Sequence, residues 1–186
     1  MPQRIFEEVV LPHLDAAFNY ARWLTKSEAD AEDVVQDAYV RALRFFSSLR
    51  GDDARGWLLT IVRNTWYGRF QKRAASGNTS GNPGAFDQAA DDRPDDSLDP
   101  EARVIQRQTV DRVRRALDEL PVDFREVLVL RELEGLSYKE IATVIGVPIG
   151  TVMSRLSRGR ERLLSILGPS RMTGPSRFTG GNRELS

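Results

Sequence analysis

The sequence contains no cysteine and one histidine, His13. Without Cys there is no disulfide, no thiolate nucleophile and no Cys-ligated zinc. One imidazole beside Pro12 cannot build a His-based triad or a His-rich metal site, so His13 reads as a structural or solvated residue. No apolar run approaches the roughly 20 residues a membrane span requires; the candidates are short pieces such as Val127 to Leu130. The start, MPQRIFEEVV, has no signal-peptide pattern, and the expectation is a soluble, cytoplasmic protein. There is no phosphate-cradling glycine loop, and the scattered carboxylates form no ligand motif. No catalytic centre, metal or cofactor is therefore expected, and an enzyme is the weakest functional class. Net charge is also missing, because 27 Lys+Arg balance 27 Asp+Glu. A zero total supplies no long-range attraction to nucleic acid or anionic lipid, so only its distribution along the chain can restore one.

What the 186 residues do contain is helical periodicity in two blocks. In the first, Leu14, Phe18, Ala21 and Leu24 form an ordinary core stripe after Pro12. Ser27 with Asp30 resembles a capping box that opens a long amphipathic helix. Val35, Ala38, Tyr39, Ala42, Leu43 and Phe46 mark its apolar side, and Asp33, Gln36, Asp37, Val40, Arg41 and Arg44 its other face. After a Gly-containing turn, Trp57, Leu58, Ile61, Val62 and Thr65 predict a third helix, with Arg63, Asn64, Trp66, Tyr67, Arg69, Phe70, Lys72 and Arg73 on its exposed side and end.

From Ala74 to Val104 the chain is rich in Gly, Ser, Pro, Asn and Asp, with seven acidic residues against two basic ones, a net of −5. It reads as a flexible acidic strap. In the second block Ile105, Thr109, Val113, Ala116 and Leu120 fall at helical spacing, and Pro121 restarts the chain. Phe124, Val127, Leu128 and Leu133 predict a helix that stops at Gly135. Ser137 with Glu140 gives a second capping box, before a short helix with Ile141, Ala142 and Ile145 inward. A tight Gly146-Val147-Pro148 turn comes next. The last helix places Val152, Leu156, Leu163 and Ile166 on its packing side and Ser154, Arg155, Ser157, Arg158 and Arg162 outward. After Leu167, GPSRMT is succeeded at once by GPSRFT, a two-copy repeat without apolar period that reads as a disordered tail.

The expected fold is all-α: two small helical domains, at residues 1–73 and 105–167, joined by a flexible linker at 74–104, with a tail at 168–186. Two short helices around a Gly-containing turn are the helix-turn-helix arrangement, whose second helix can enter a major groove. Gly150 and Thr151 free the N-terminus of that helix for phosphate. Arg158 can fork onto a guanine edge while Arg155 and Arg162 hold the backbone. The bland alternative is a basic, solvated helix end.

Together, LSYKEIATVIGVPIGTVMSRLSRGRERL and SEADAEDVVQDAYVRALRFF resemble the extracytoplasmic-function sigma factors of bacterial RNA polymerase. The resemblance covers residues 6–73 and 105–167. It implies that the first block is sigma region 2, which binds core polymerase and the minus-10 element, and that the second is region 4, which binds the minus-35 element. By that resemblance Asp33, Gln36, Asp37, Val40, Arg41 and Arg44 dock on the clamp helices of the largest polymerase subunit. It further implies capture of an unstacked base by the loop LRGDDARG, with Arg50, Asp52, Asp53 and Arg55 supplying polar groups; this loop lacks the aromatic some relatives carry. Asn64 contacts an unpaired base or the duplex edge, Arg63, Arg69, Lys72 and Arg73 track phosphates, and Tyr67, with Trp66 and Phe70, offers a stacking surface. In the recognition helix it assigns base contact to Ser154, Ser157 and Arg158 and backbone contact to Thr151 and Arg155. Met153 stands where many relatives have a basic residue.

The implied partners are core RNA polymerase, through its largest and second-largest catalytic subunits, promoter DNA and an anti-sigma factor. The zero total charge then resolves into segments: −4 over residues 26–37 and −5 in the linker, against +6 over 38–73 and +3 over 150–164. The positive segments are the ones assigned to DNA. Two other readings stay open from the sequence. One is an ordinary DNA-binding regulator in which residues 1–73 sense or dimerise; the other is a sigma mimic that titrates an anti-sigma factor.

Overall fold

A computed structural model of the chain describes residues 2–76 and 100–168, and the regular elements among them are all helical. The greater part of the acidic linker and the GPSR repeats lie outside the described residues. The first block comprises α1 (Pro2–Val10), α2 (Leu14–Thr25), α3 (Glu28–Phe45) and α4 (Ala54–Ala75); the second, α5 (Pro100–Glu119), α6 (Val122–Leu128), α7 (Tyr138–Ile145) and α8 (Ile149–Leu167). Helical order thus runs past Arg73 to Ala75 and resumes at Pro100, a residue suited to the first turn of a helix.

In the first block the α2–α3 joint is made by Lys26, whose left-handed φ of 58° ends α2, and by Ser27, whose hydroxyl accepts the Asp30 N–H at 3.3 Å. The buried stripe of α3 is Ala31, Val34, Ala38 and Ala42. Three alanines in a row of four bring the helix axes close, so that α2 and α4 meet α3 through Ala17, Ala21, Leu24, Leu58, Leu59 and Val62. Leu43, expected inward, is instead 44% exposed. Helical spacing admits two neighbouring stripes here, and close packing selects the one with the smaller side chains. Phe6 of α1 closes one end, packing edge-on against Tyr39 and Phe46 with both ring centroids at 5.2 Å.

The second block departs from expectation in three places. Ile105 and Thr109 are exposed, because the packed part of α5 starts only near Val113, with Ala116, Leu117 and Leu120 buried beyond it. Ile166, expected on the packing side of α8, is 37% exposed at its C-terminal end. Leu133 is also exposed, at 55%. Here α6 runs into a π-helical turn, Val129–Leu133, in which the Glu134 N–H donates to the Val129 carbonyl five residues back at 3.0 Å. The extra residue shifts the register, turns Leu133 outward and buries Glu134. Gly135, at φ +67°, then ends the segment as expected. Gly159 lies in the close contact between α6 and α8, where a Cβ would come 3.2 Å from Leu128 Cδ1 and press that side chain aside.

The two blocks are packed together. Their buried side chains form one continuous core, with α2 against α6 and α4 against α7.

Candidate nucleic-acid interface

Recognition-helix geometry arises from three local devices. Ser137 and Glu140 form a complete capping box: the Ser137 hydroxyl accepts the Glu140 N–H at 3.3 Å, and the Glu140 carboxylate accepts the Ser137 N–H at 2.6 Å. These bonds to Ser137 hold the Glu140 carboxyl below the usual range. Gly146, at φ +68°, ends α7 in the left-handed conformation and donates to the Ala142 carbonyl at 2.9 Å. Pro148 then starts α8, whose Val152 and Leu156 anchor it in the core.

With those two residues inward, Ser154, Ser157, Arg158 and Arg162 face solvent. Arg158 makes no ion pair among the described residues. Thr151 is half-buried, and its carbonyl accepts the Ser154 hydroxyl at 3.0 Å. Arg162 lies over the Phe124 ring at 4.9 Å. Arg155 is turned back onto α6: it approaches Asp123 at 3.5 Å, and its Nη1 is buried without a hydrogen-bond partner. Both charges lie near enough to Tyr67 of the first block to act on its phenol, which burial, above all, pushes up. Met153 is exposed.

In the first block the loop before α4 is shorter than the sequence suggests, because α4 already begins at Ala54. Asp53 is its N-cap, accepting the Gly56 N–H at 2.8 Å. Gly56 leaves room for this cap, since a Cβ would fall 2.4 Å from Asp53 Oδ2 and the carboxylate would have to shift. Arg50 and Asp52 are exposed at the loop surface. Asn64, Phe70, Lys72 and Arg73 lie exposed along α4, and Trp66 and Tyr67 are half-buried in edge-on contact with centroids 4.5 Å apart. The face of α3 is as read: Asp33, Gln36, Asp37, Val40, Arg41 and Arg44 are all exposed. Part of it is neutralised from α4, where Arg69 pairs with Asp37 at 2.6 Å and reaches Asp33 at 3.7 Å; Arg73 also meets Asp30 at 3.1 Å.

Arg55 and Arg63 are not free. The Arg55 guanidinium contacts the Glu134 carboxylate at 2.6 Å. Arg63 donates through Nε to Glu126 at 2.7 Å and stacks over the Tyr67 ring at 4.4 Å. Tyr20 donates its hydroxyl to the same Glu126 oxygen at 2.5 Å. Glu126 is wholly buried, with Arg63 supplying the countercharge that such a site needs. Burial, and then the Glu126 carboxylate, push the Tyr20 phenol well above its ordinary range. Beside this network, burial lowers the pKa of Arg125, which donates to the Asp118 carbonyl at 3.3 Å, and Lys26 reaches the same carbonyl at 2.7 Å. A cleft of about 370 Å³ opens between the blocks, lined by Trp66, Phe70, Leu120 and Val122.

Tyr20, Glu126 and Glu134 were not legible as functional candidates. The available signal was an acidic residue inside the apolar run EVLVL, whose charge has to find a partner once buried.

Comparison with known proteins matches residues 9–76 to sigma-70 region 2 and residues 111–163 to sigma-70 region 4. The chain is 33% identical to the RNA polymerase sigma-H factor of Pseudomonas aeruginosa, over 90% of this chain and 88% of that one. It is 36% identical to the ECF RNA polymerase sigma-E factor of Escherichia coli, over 72% of each. With an ECF RNA polymerase sigma factor of Mycolicibacterium smegmatis it shares 32% identity, spanning 87% of this chain but 61% of that relative. Among solved structures, the sigma factor RpoE of Bartonella quintana, in complex with the anti-sigma factor NepR, superposes with a TM-score of 0.72 at 31% identity, over 90% of this chain and 99% of that one. CnrH, in complex with the cytosolic domain of CnrY, gives 0.61 at 28% identity, over 89% of this chain and 88% of that one.

Proposed function

The chain belongs to the extracytoplasmic-function (ECF) sigma factors of bacterial RNA polymerase, and from that premise we propose how its surfaces divide the work of initiation. The exposed α3 face, Asp33 to Arg44, docks on core polymerase. The α4 face and the loop before it, with Asn64, Arg63, Arg69, Lys72 and Arg73, engage the opened minus-10 element. The recognition helix reads the minus-35 element through Ser154, Ser157 and Arg158. Polymerase itself performs the chemistry, and the chain supplies binding energy and position.

The observation that carries this reading is the recognition helix. A capped α7, a left-handed glycine and a core-anchored α8 present Ser154, Ser157 and Arg158 together on one solvent face. Such a side can lie in a major groove with Arg158 bidentate on a guanine. An anti-sigma partner is part of the proposal, because a sigma factor of similar structure was solved with one. The match of residues 9–76 to region 2 argues against a sensor or dimerisation role for that block.

Adding the purified full chain to core polymerase and sequencing transcripts from genomic fragments tests the reading. Initiation at a shared pair of upstream and downstream elements is expected; no specific initiation would refute it.

A further inference from the structure

We propose that the cleft between the two blocks is a binding site for a small apolar monocarboxylate, its charge held by Lys26 and Arg125 and its body lying against Trp66, Phe70, Leu120 and Val122. Such a ligand would give the chain a chemical input that is independent of how its other surfaces divide the work of initiation.

The charge in the cleft is unbalanced. Its lining includes four cations and one carboxylate, Asp30. Arg73 takes Asp30 at 3.1 Å, and Arg69 is satisfied from outside the cleft by Asp37 at 2.6 Å. Lys26 and Arg125 remain, and neither makes an ion pair among the described residues. Both point instead at one neutral oxygen, the Asp118 carbonyl, at 2.7 and 3.3 Å. That carbonyl belongs to the last turn of α5, a helix end that favours a cation, and Lys26 alone supplies one. The second cation has no such explanation. Arg125 is only 5% exposed, and its Nε is buried without a hydrogen-bond partner, an unfavourable state for a charged group. Burial, and then the Arg125 charge, lower the pKa of Lys26. The Asp118 carboxylate makes no ion pair with either cation, and its Oδ1 is likewise buried and unpartnered. Even with that carboxylate counted, one positive charge is left over, which matches a monoanion.

The walls are apolar. Trp66 and Phe70 incline at 30° with ring centroids 5.8 Å apart, and Phe70 is 58% exposed although it lines the same cleft as the buried Leu120. An apolar body laid on these rings would take that surface out of water. The volume of about 370 Å³ lies in the ordinary range of small-molecule sites. A carboxylate offers the acceptors that the Arg125 guanidinium lacks. A hydrophilic anion would meet the cations and forgo the walls, and a neutral alcohol would do the reverse. Only a ligand with both ends uses the whole cleft.

Calorimetric titration of the full chain at neutral pH with decanoate and with 2-naphthoate, one acyl and one aryl body, tests the site. One-to-one binding with a Kd on the order of 10 to 100 µM is expected for at least one of them, and the tighter of the two identifies the body. The matching alcohols, decanol and 2-naphthol, should bind about tenfold or more weakly, and acetate should give no heat of binding. Arg125→Met keeps an apolar side chain in place and should weaken the acid about tenfold or more while leaving the alcohol within about twofold. Should that variant fail to fold, Lys26→Met, in the turn between α2 and α3, carries the same test with the same readout. Phe70→Ala changes an exposed residue and should weaken acid and alcohol alike, by about fivefold. Lys139→Met removes an exposed charge of α7 outside the cleft and should leave every affinity within about twofold. No binding of either acid, acids and alcohols bound alike, or an acid affinity indifferent to both Arg125→Met and Lys26→Met, would overturn the proposal. The titration needs neither polymerase nor DNA, so failure of the transcription experiment is distinguishable from failure here.

Discussion

Arg155 and Asp123 approach to 3.5 Å across the α6–α8 contact, yet one terminal nitrogen of that arginine is buried with nothing to donate to. Arg158, three residues further on, is exposed and unpaired among the described residues. Two arginines in the same helix therefore respond differently to removal.

Arg155→Met keeps the apolar stem and removes an unsatisfied donor. Its stability is expected to stay within about 1 kcal/mol of the parent or to rise, as read by urea denaturation. If Arg155 holds phosphate in the complex, its affinity for upstream duplex falls similarly for all sequences and the salt slope drops by about one. Arg158→Ala instead costs about 1 to 3 kcal/mol at a single upstream base position. Binding to a panel of single-base variants separates the two, and an unaltered sequence preference for Arg158→Ala counts against its base contact.

The Tyr20–Glu126–Arg63 network makes a second, graded prediction. Tyr20→Phe deletes one hydrogen bond to a charged acceptor and costs about 1.5 to 3 kcal/mol. Glu126→Ala strands Arg63 in a largely buried position and costs about 3 to 5 kcal/mol. The double variant should be less destabilised than the sum, because both single changes remove the same contact. Strict additivity in chemical denaturation would show that the phenol and carboxylate act independently.

Gly56→Ala tests the cap on α4. The new methyl would meet Asp53 Oδ2 at 2.4 Å, so the carboxylate has to leave the helix end. A loss of about 1 to 2 kcal/mol is expected, with faster amide exchange confined to the first turn of α4 and the preceding loop. Asp53→Ala should reproduce the pattern. If Asp53 instead serves mainly to contact a base, its replacement will weaken DNA binding and leave exchange unchanged.

Glu140 gives a pH dependence of known sign. Its folded pKa lies below the ordinary value because the charged form is bonded to Ser137. Stability from this carboxylate is complete above the unfolded Glu range, about pH 4.3, and is lost as pH falls through the lower folded value. Glu140→Gln should therefore be less stable than the parent at pH 7, and the two should converge as the pH falls below the folded value, as read by thermal melts. A gap that persists at low pH would assign the effect to shape rather than charge.

Much of this molecule was legible because its signals are local. Ser137 and Glu140, Gly135, Gly146 and Pro121 mark helix ends through the conformations they favour, and each does so in the fold. The exposed face of α3, Asp33 to Arg44, comes from helical spacing alone. Where the reading missed, the deciding term was non-local. Leu43 lost its place in the core because α2 and α4 pack onto alanines. Leu133 lost its place to a π-helical turn, which periodicity assumes absent. Arg55 and Arg63 read as free cations because their partners, Glu134 and Glu126, lie 79 and 63 positions away. No sequence window reaches across such separations.

The π-helical turn at Val129–Leu133 sets an angle by its length. An α-helix advances about 100° per residue, so removing any one residue from those five would restore ordinary pairing and rotate the downstream chain by roughly that angle. Glu134 would swing off the Arg55 side, carrying the start of the helix-turn-helix with it. The aim of one half of the molecule on the other is thus encoded in chain length, as a count of residues rather than in the chemistry of one side chain. Substitution scans leave that count untouched; a series of single-residue deletions reads it.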